Sequence, residues 1–158
     1  MPEADRTFFR EDVGAEGVVE SWLDRGASAR SVAVAIDGDE VSGYVAVVPQ
    51  MGLSNHVGDL RVVVDPDRRR TGVGTALARQ GLLDGLGLGL TKIVVEVAAE
   101  QEPAISLFRG LGFDVEALLK DHVRGRDGGL RDILLLSHFV EDTGATMWAT
   151  GVDDVVGA

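Results

Sequence analysis

The stretch that decides the reading is "LRVVVDPDRRRTGVGTALARQGLL", residues 60–83. An apolar run suited to a strand stops at Pro66, which cannot donate to a sheet ladder. Three arginines follow, and two glycines one residue apart then open a segment of helix formers. The first amides of a helix have no intrahelical acceptor, and their dipoles favour an anion. Gly72 and Gly74 carry no side chain to hold a phosphate away from those amides. Arg68, Arg69 and Arg70 add charge-assisted donors suited to phosphate oxygens. The pattern predicts a strand, a turn and a helix N-terminus that receives a phosphorylated ligand. The bland alternative is a solvated arginine turn.

Two familiar phosphate loops do not fit. A Walker loop needs Lys and then Ser or Thr after its last Gly, whereas Gly74 is followed by Thr75 and Ala76. A dinucleotide fingerprint would put its third small residue at Leu77 and its first Gly directly off the strand, where this chain has "DPDRRRT".

Outward from this stretch, the N-terminal side predicts a short helix over 15–25, from the spacing of Val18, Val19, Trp22 and Leu23. "RSVAVAI" (30–36) and "VSGYVAVVP" (41–49) predict a hairpin closed by "DGDE", and 56–65 a third strand. The helix after Gly72 is expected to run to Leu88, with Val73, Leu77, Leu83 and Leu86 on its apolar side and Gly81, Gly85 and Gly87 weakening it. A strand over 90–98 follows, then a helix with Pro103 in its first turn and Gly110 or Gly112 at its exit. Two last strands, 113–123 and 130–139, are joined by "RGRDGG". This order predicts one α/β domain with a mixed, mostly antiparallel sheet over residues 1–140, and an acidic tail over 141–158.

Composition narrows the function. The 158-residue chain carries 15 Lys and Arg against 26 Asp and Glu, which argues against a nucleic-acid binder and suits a cationic partner. Absence of cysteine excludes thiolate zinc sites and cysteine nucleophiles. The three histidines are scattered, so no metal site is expected. No apolar run is long enough for a membrane span and no leader is evident, so the cytoplasm is the expected compartment.

"VVVDPDRRRTGVGTAL" resembles motif A of the GCN5-related N-acetyltransferases, through Arg69, Gly72 and Gly74, and "EPAISLFRGLGF" (102–113) resembles motif B. The resemblance covers roughly residues 30–140. It implies acetyl-CoA as cosubstrate, its pyrophosphate on Arg69, Arg70, Thr71, Gly72, Val73, Gly74 and Thr75, and its pantetheine arm along Val62, Val63 and Val64, between two strands that splay apart. It further implies direct attack of a primary amine on the thioester, with an oxyanion held by an amide near Val62 or Val63. Asp59 is the leading candidate to take the amine's proton, and His56 the second, being the side-chain type that titrates nearest neutrality. His122 and His138 read as sheet-face residues. Arg61 is expected on the face of Asp59, either pairing with it or orienting an acidic group of the acceptor.

The chain departs from the motifs at several points. Arg70 stands where the family often has Gly, Thr71 where it has a basic residue, and Gln101 where it has Asn. Phe108 replaces the Tyr that protonates the leaving thiolate. The family's first strand has no obvious counterpart before residue 15: the sheet starts late, a second copy covers its edge in a homodimer, or the true start lies upstream. A CoA-binding regulatory or structural domain without turnover is the alternative function.

Overall fold

The computed structural model describes residues 31–142; the helix expected over 15–25 and the tail beyond Asp142 lie outside them. Six strands and two helices follow in the order expected: β1 (Ser31–Asp37), β2 (Glu40–Pro49), β3 (Val57–Val64), α1 (Val73–Gly87), β4 (Lys92–Ala98), α2 (Glu102–Gly110), β5 (Asp114–Arg124) and β6 (Leu130–Phe139). They form one sheet in the order β1-β2-β3-β4-β6-β5. All neighbours are antiparallel except β3 and β4. That single parallel pair follows from the helix between them, since a parallel return needs a crossover connection.

The alternation of each strand divides its side chains between two faces. Val45, Val47, Leu60, Ile93, Val95, Val97 and Leu136 pack with Leu77, Ala78 and Leu82 of α1 and with Phe108 and Phe113. The opposite face carries Tyr44, Ala46, Asp59, Arg61, Val63, Val94, Glu96 and Ala98. At one end of the sheet Lys92 bridges to Glu116 at 2.7 Å. Hydrogen bonds from Lys92 and then Ser137 hold the Glu116 carboxyl below its ordinary value.

Helix α1 differs from the sequence reading in the side it buries. Its inward stripe is Leu77, Ala78, Gly81, Leu82 and Gly85, while Leu83 is half-buried and Leu86 is exposed. Two of the glycines that argued against a helix, Gly81 and Gly85, are part of its contact with the sheet. A Cβ on Gly81 would collide with Leu60 and lie 2.9 Å from Val45 Cγ2, and one on Gly85 would strike the end of Ile93. Glycine here permits close approach, an advantage that large-residue periodicity does not register. Gly87, at the helix end, has open space around it.

Alanine substitutions should therefore have opposite signs within one helix. Gly87→Ala should stabilise by roughly 0.5–1 kcal/mol, the usual gain of removing a helical glycine. Gly81→Ala should lose about 1 kcal/mol or more, because overpacking costs about 1–3 kcal/mol. Urea unfolding of the two variants measures the difference. A stabilised G81A protein would contradict the tight seam.

Candidate active site

The site begins where β3 and β4 stop pairing. Their ladder has three residue pairs, Val57↔Lys92, Gly58↔Ile93 and Asp59↔Val94, although both strands continue upward. In contrast, β3 stays paired with β2 from Gly58 to Val64. Thr91 donates its N–H to the His56 carbonyl (2.9 Å), and Asp65 donates to the Ser42 carbonyl (2.9 Å). Since residues of a strand alternate sides, these two bonds point the even-numbered backbone of β3 toward β4 and the odd-numbered backbone toward β2. Above the vertex the N–H and C=O groups of Val62 and Val64 therefore face the open gap. Those of Val63 face Tyr44 of β2. The three valines expected along a bound arm are thus not equivalent: two present backbone to the gap, and Val63 does not.

The loop above β3 is held by its own side chains. Asp65 accepts from the Asp67 N–H (3.0 Å) and caps a 3-10 turn over Pro66–Arg68, and the Thr71 hydroxyl donates to the Arg68 carbonyl (2.6 Å). Arg70 then adopts φ 62°, a left-handed conformation that costs a non-glycine residue roughly 1–2 kcal/mol. That conformation accounts for the frequent Gly at this position of the motif. Gly72 caps α1 with φ 90° and no side-chain bond. The loop leaves the amides of Arg70, Thr71, Gly72, Val73, Gly74 and Thr75 with no hydrogen-bond acceptor among the described residues. Gly74 sits where a Cβ would lie 3.3 Å from both Leu107 of α2 and Val64, so it also seals the base of the loop.

The arginine run separates in space. Arg68 forms ion pairs with Asp37 and Glu40 of the β1–β2 turn. It ties the loop to that hairpin, so the ligand-facing role read for it from the sequence passes to its neighbours.

Asp59 stands at the vertex, on the face away from α1, and Gln50 donates an amide hydrogen to it (2.9 Å). His56 lies outside the vertex with its side chain exposed; its carbonyl, not its ring, ties the strands by accepting from Thr91 and Lys92. Arg61 is on the same face as Asp59, two residues higher. His122 is exposed on β5, while His138 is buried with Nδ1 3.0 Å from the Gly112 carbonyl and its ring against Phe113. Phe108 packs edge-on against Phe113 in the core.

Sequence reasoning missed two polar groups. Gln50 lies just past the end of β2, and only the β2–β3 register brings it to Asp59. Glu96 is half-buried on β4, on the Asp59 face, and is the one carboxylate within "KIVVEVA". An acid inside the most apolar strand was the available signal.

Comparison with known proteins agrees with this geometry. A family model described as "Acetyltransferase (GNAT) family" matches residues 2–113. The chain is 32% identical over 108 residues to a mycothiol acetyltransferase of Nocardioides sp., a match covering 63% of this chain and 37% of that one. It is 29% identical over 105 residues to the L-amino acid N-acetyltransferase of Escherichia coli, covering 64% of this chain and 65% of that protein. The chain thus spans little more than a third of the mycothiol acetyltransferase it matches. A Salmonella typhimurium protein solved with its cofactor acetyl-CoA superposes with a TM-score of 0.75 over 84% of this chain and 79% of that one, at 18% identity, a likeness of fold. A splayed parallel pair, a loop of unclaimed amides above it and a family match over more than half the residues lead to one assignment: the chain belongs to the acetyltransferase (GNAT) family.

Proposed function

We propose that this protein transfers an acetyl group from acetyl-CoA to a primary amine by direct attack. The observation that carries this is the run of amides from Arg70 to Thr75, standing, among the described residues, without acceptors directly above a gap whose β3 edge is unpaired. The pyrophosphate sits on those amides, with Arg69 as a charge-assisted donor. The pantetheine arm pairs with Val62 and Val64 as an added strand would. The Val62 N–H, first above the last β3–β4 bond, receives the developing oxyanion. Asp59, steadied by Gln50, draws the ammonium of the acceptor toward the vertex, and His56 is the more distant candidate for contact with it. Holding both reactants in line supplies much of the remaining acceleration. Phe108 has no proton to give, so the CoA sulfur takes its proton from the attacking nitrogen or from water.

The L-amino acid acetyltransferase among the relatives makes α-amines the first acceptor class to test. A cytoplasmic location and a homodimer belong to the same reading, and cell fractionation and solution mass check them. The decisive experiment combines calorimetry against acetyl-CoA with thiol release across L-amino acids, small amines and peptides. A CoA-binding domain without catalysis would give heat and release no thiol.

Arginine replacements test the loop. Arg69→Ala should weaken acetyl-CoA by roughly 1.5–3 kcal/mol, the loss of one charge-assisted phosphate contact. Arg68→Ala should cost less than about 1 kcal/mol of that affinity, since Arg68 is engaged with Asp37 and Glu40. Arg124→Ala and Arg126→Ala, in the β5–β6 turn, should leave it unchanged. Equal small effects at all four positions would return the run to a solvated turn.

Asp59→Asn should raise the acceptor KM and leave acetyl-CoA affinity within about twofold, because the vertex lies roughly 10 Å along β3 from Val62. Wild-type acceptor kinetics in D59N would remove Asp59 from the site.

A further inference from the structure

We infer that the rejoining of β3 and β4 limits the acyl group to two or three carbons, with Leu60 and Val95 as the residues that set the limit; this rests on the acetyl-transfer reading above. In that reading the arm descends the gap from the loop, and the Val62 N–H receives the thioester oxygen. The acyl carbons therefore continue below Val62, toward the last β3–β4 pair at Asp59↔Val94. Three residues, roughly 10 Å of strand, separate these two levels.

Over that descent the gap closes. An arm that pairs with β3 as an added strand holds β3 and β4 about two strand spacings apart, roughly 9.6 Å, whereas at the vertex they are one spacing apart, about 4.8 Å. An alkyl carbon keeps about 3.5–4.0 Å from the atoms on either side, more than the roughly 2.9 Å of a backbone hydrogen bond. It therefore needs the full width at the top and finds less with every step down. Each further carbon descends about 1.2 Å. A methyl fits, one more carbon is tolerated, and the next meets the converging backbones.

Sideways escape is closed on the helix side. Continued upward, the register sets Leu60 level with Val95 and Val62 level with Val97, and all four turn to the face that α1 covers. Leu60 (3% exposed) and Val95 (5% exposed) stand just above the vertex and share one core cluster with Leu77, Ala78 and Leu82 of α1. Leu60 cannot withdraw toward the helix, because Gly81 meets it with no room for even a Cβ. The glycine seam that brings α1 close thus also fixes the wall beside the acyl group, and a close-packed core yields little to added volume. The other face is the one from which the amine must approach, so a chain bent that way would occupy the acceptor's place.

The test measures kcat/KM for acetyl-, propionyl-, butyryl- and hexanoyl-CoA with the best acceptor from the amine panel, in wild type and three variants. Wild type should use propionyl-CoA within about tenfold of acetyl-CoA, and butyryl- and hexanoyl-CoA about 10²-fold less well or worse, since one methylene in a fixed apolar pocket decides about 10–200-fold. Val95→Ala takes two methyl groups from the wall and should raise the butyryl-to-acetyl ratio by about tenfold or more. Val95→Ile adds a carbon there and should lower the propionyl-to-acetyl ratio by about tenfold or more. Val140→Ala makes the same truncation in the same cluster, beyond the lower end of β4, where Val140 donates its N–H to the Thr91 carbonyl. It should leave both ratios unchanged. Butyryl-CoA used by wild type as readily as acetyl-CoA, or ratios unmoved in both Val95 variants, overturns the limit and leaves acetyl transfer standing. An equal shift in V140A would mark a general loosening of the core and overturns it too. If V95A does not fold, V95I and the wild-type series decide. A wild-type protein that binds acetyl-CoA and transfers no acyl group overturns the acetyl-transfer reading together with this one.

Discussion

The early end of the β3–β4 ladder is the constraint on which the site depends. Three residue pairs join these strands at the bottom, and above Asp59 and Val94 they separate. A sheet interior normally satisfies its backbone groups across each seam, and unmatched donors and acceptors are costly when buried. Here the unmatched groups of Val62 and Val64 lie in one line at the centre of the sheet. Such a row is the template that an extended ligand pairs with as an added strand would. On the proposed reading the same separation also admits the acceptor, from the opposite face, so that one interruption creates both halves of the site.

Helix α1 makes that interruption useful. Its N-terminus must stand at the top of the gap, and its body must lie close against the sheet that the gap divides. The glycine seam at Gly81 and Gly85 provides the closeness, with Leu60, Val45 and Ile93 filling the space a Cβ would need. The loop into the helix is held by Asp65, Thr71 and the Arg68 ion pairs, so its amides are positioned before any ligand arrives. Preorganised donors of this kind stabilise charge without reorganisation at the moment of reaction. The left-handed Arg70 is a local cost of keeping an arginine at a turn that favours glycine.

Charge is distributed with the same economy. In a chain of formal net charge -11, three consecutive arginines lie in the loop before α1, the end proposed for the phosphate, and carboxylates stand on the sheet face away from α1. One arginine is consumed in fastening the loop to the β1–β2 turn. On the proposed reading those carboxylates attract the acceptor as a cation.

Local patterning determined most of the architecture. Alternating apolar runs, Pro66, the "DGDE" and "RGRDGG" turns and the glycine pair at Gly72 and Gly74 place every described strand and helix within a few residues. They do so because these signals act between near neighbours in the chain. What depends on register between distant segments was decided only by the tertiary structure. Beyond Leu77 the buried side of α1 was misread because two of its contact residues, Gly81 and Gly85, carry no apolar side chain to count. Arg68 was read with its neighbours until the fold brought Asp37 and Glu40, about thirty residues earlier, against it. The splitting of Val62 and Val64 from Val63 requires knowing which side of β3 is paired. Asp59 and Glu96 share a face of the sheet only because β3 pairs with β4, a relation between two strands with a helix between them in the chain. Sequence records which residues are available to the chemistry; the height and face at which they meet is set by how the sheet is paired and where that pairing stops.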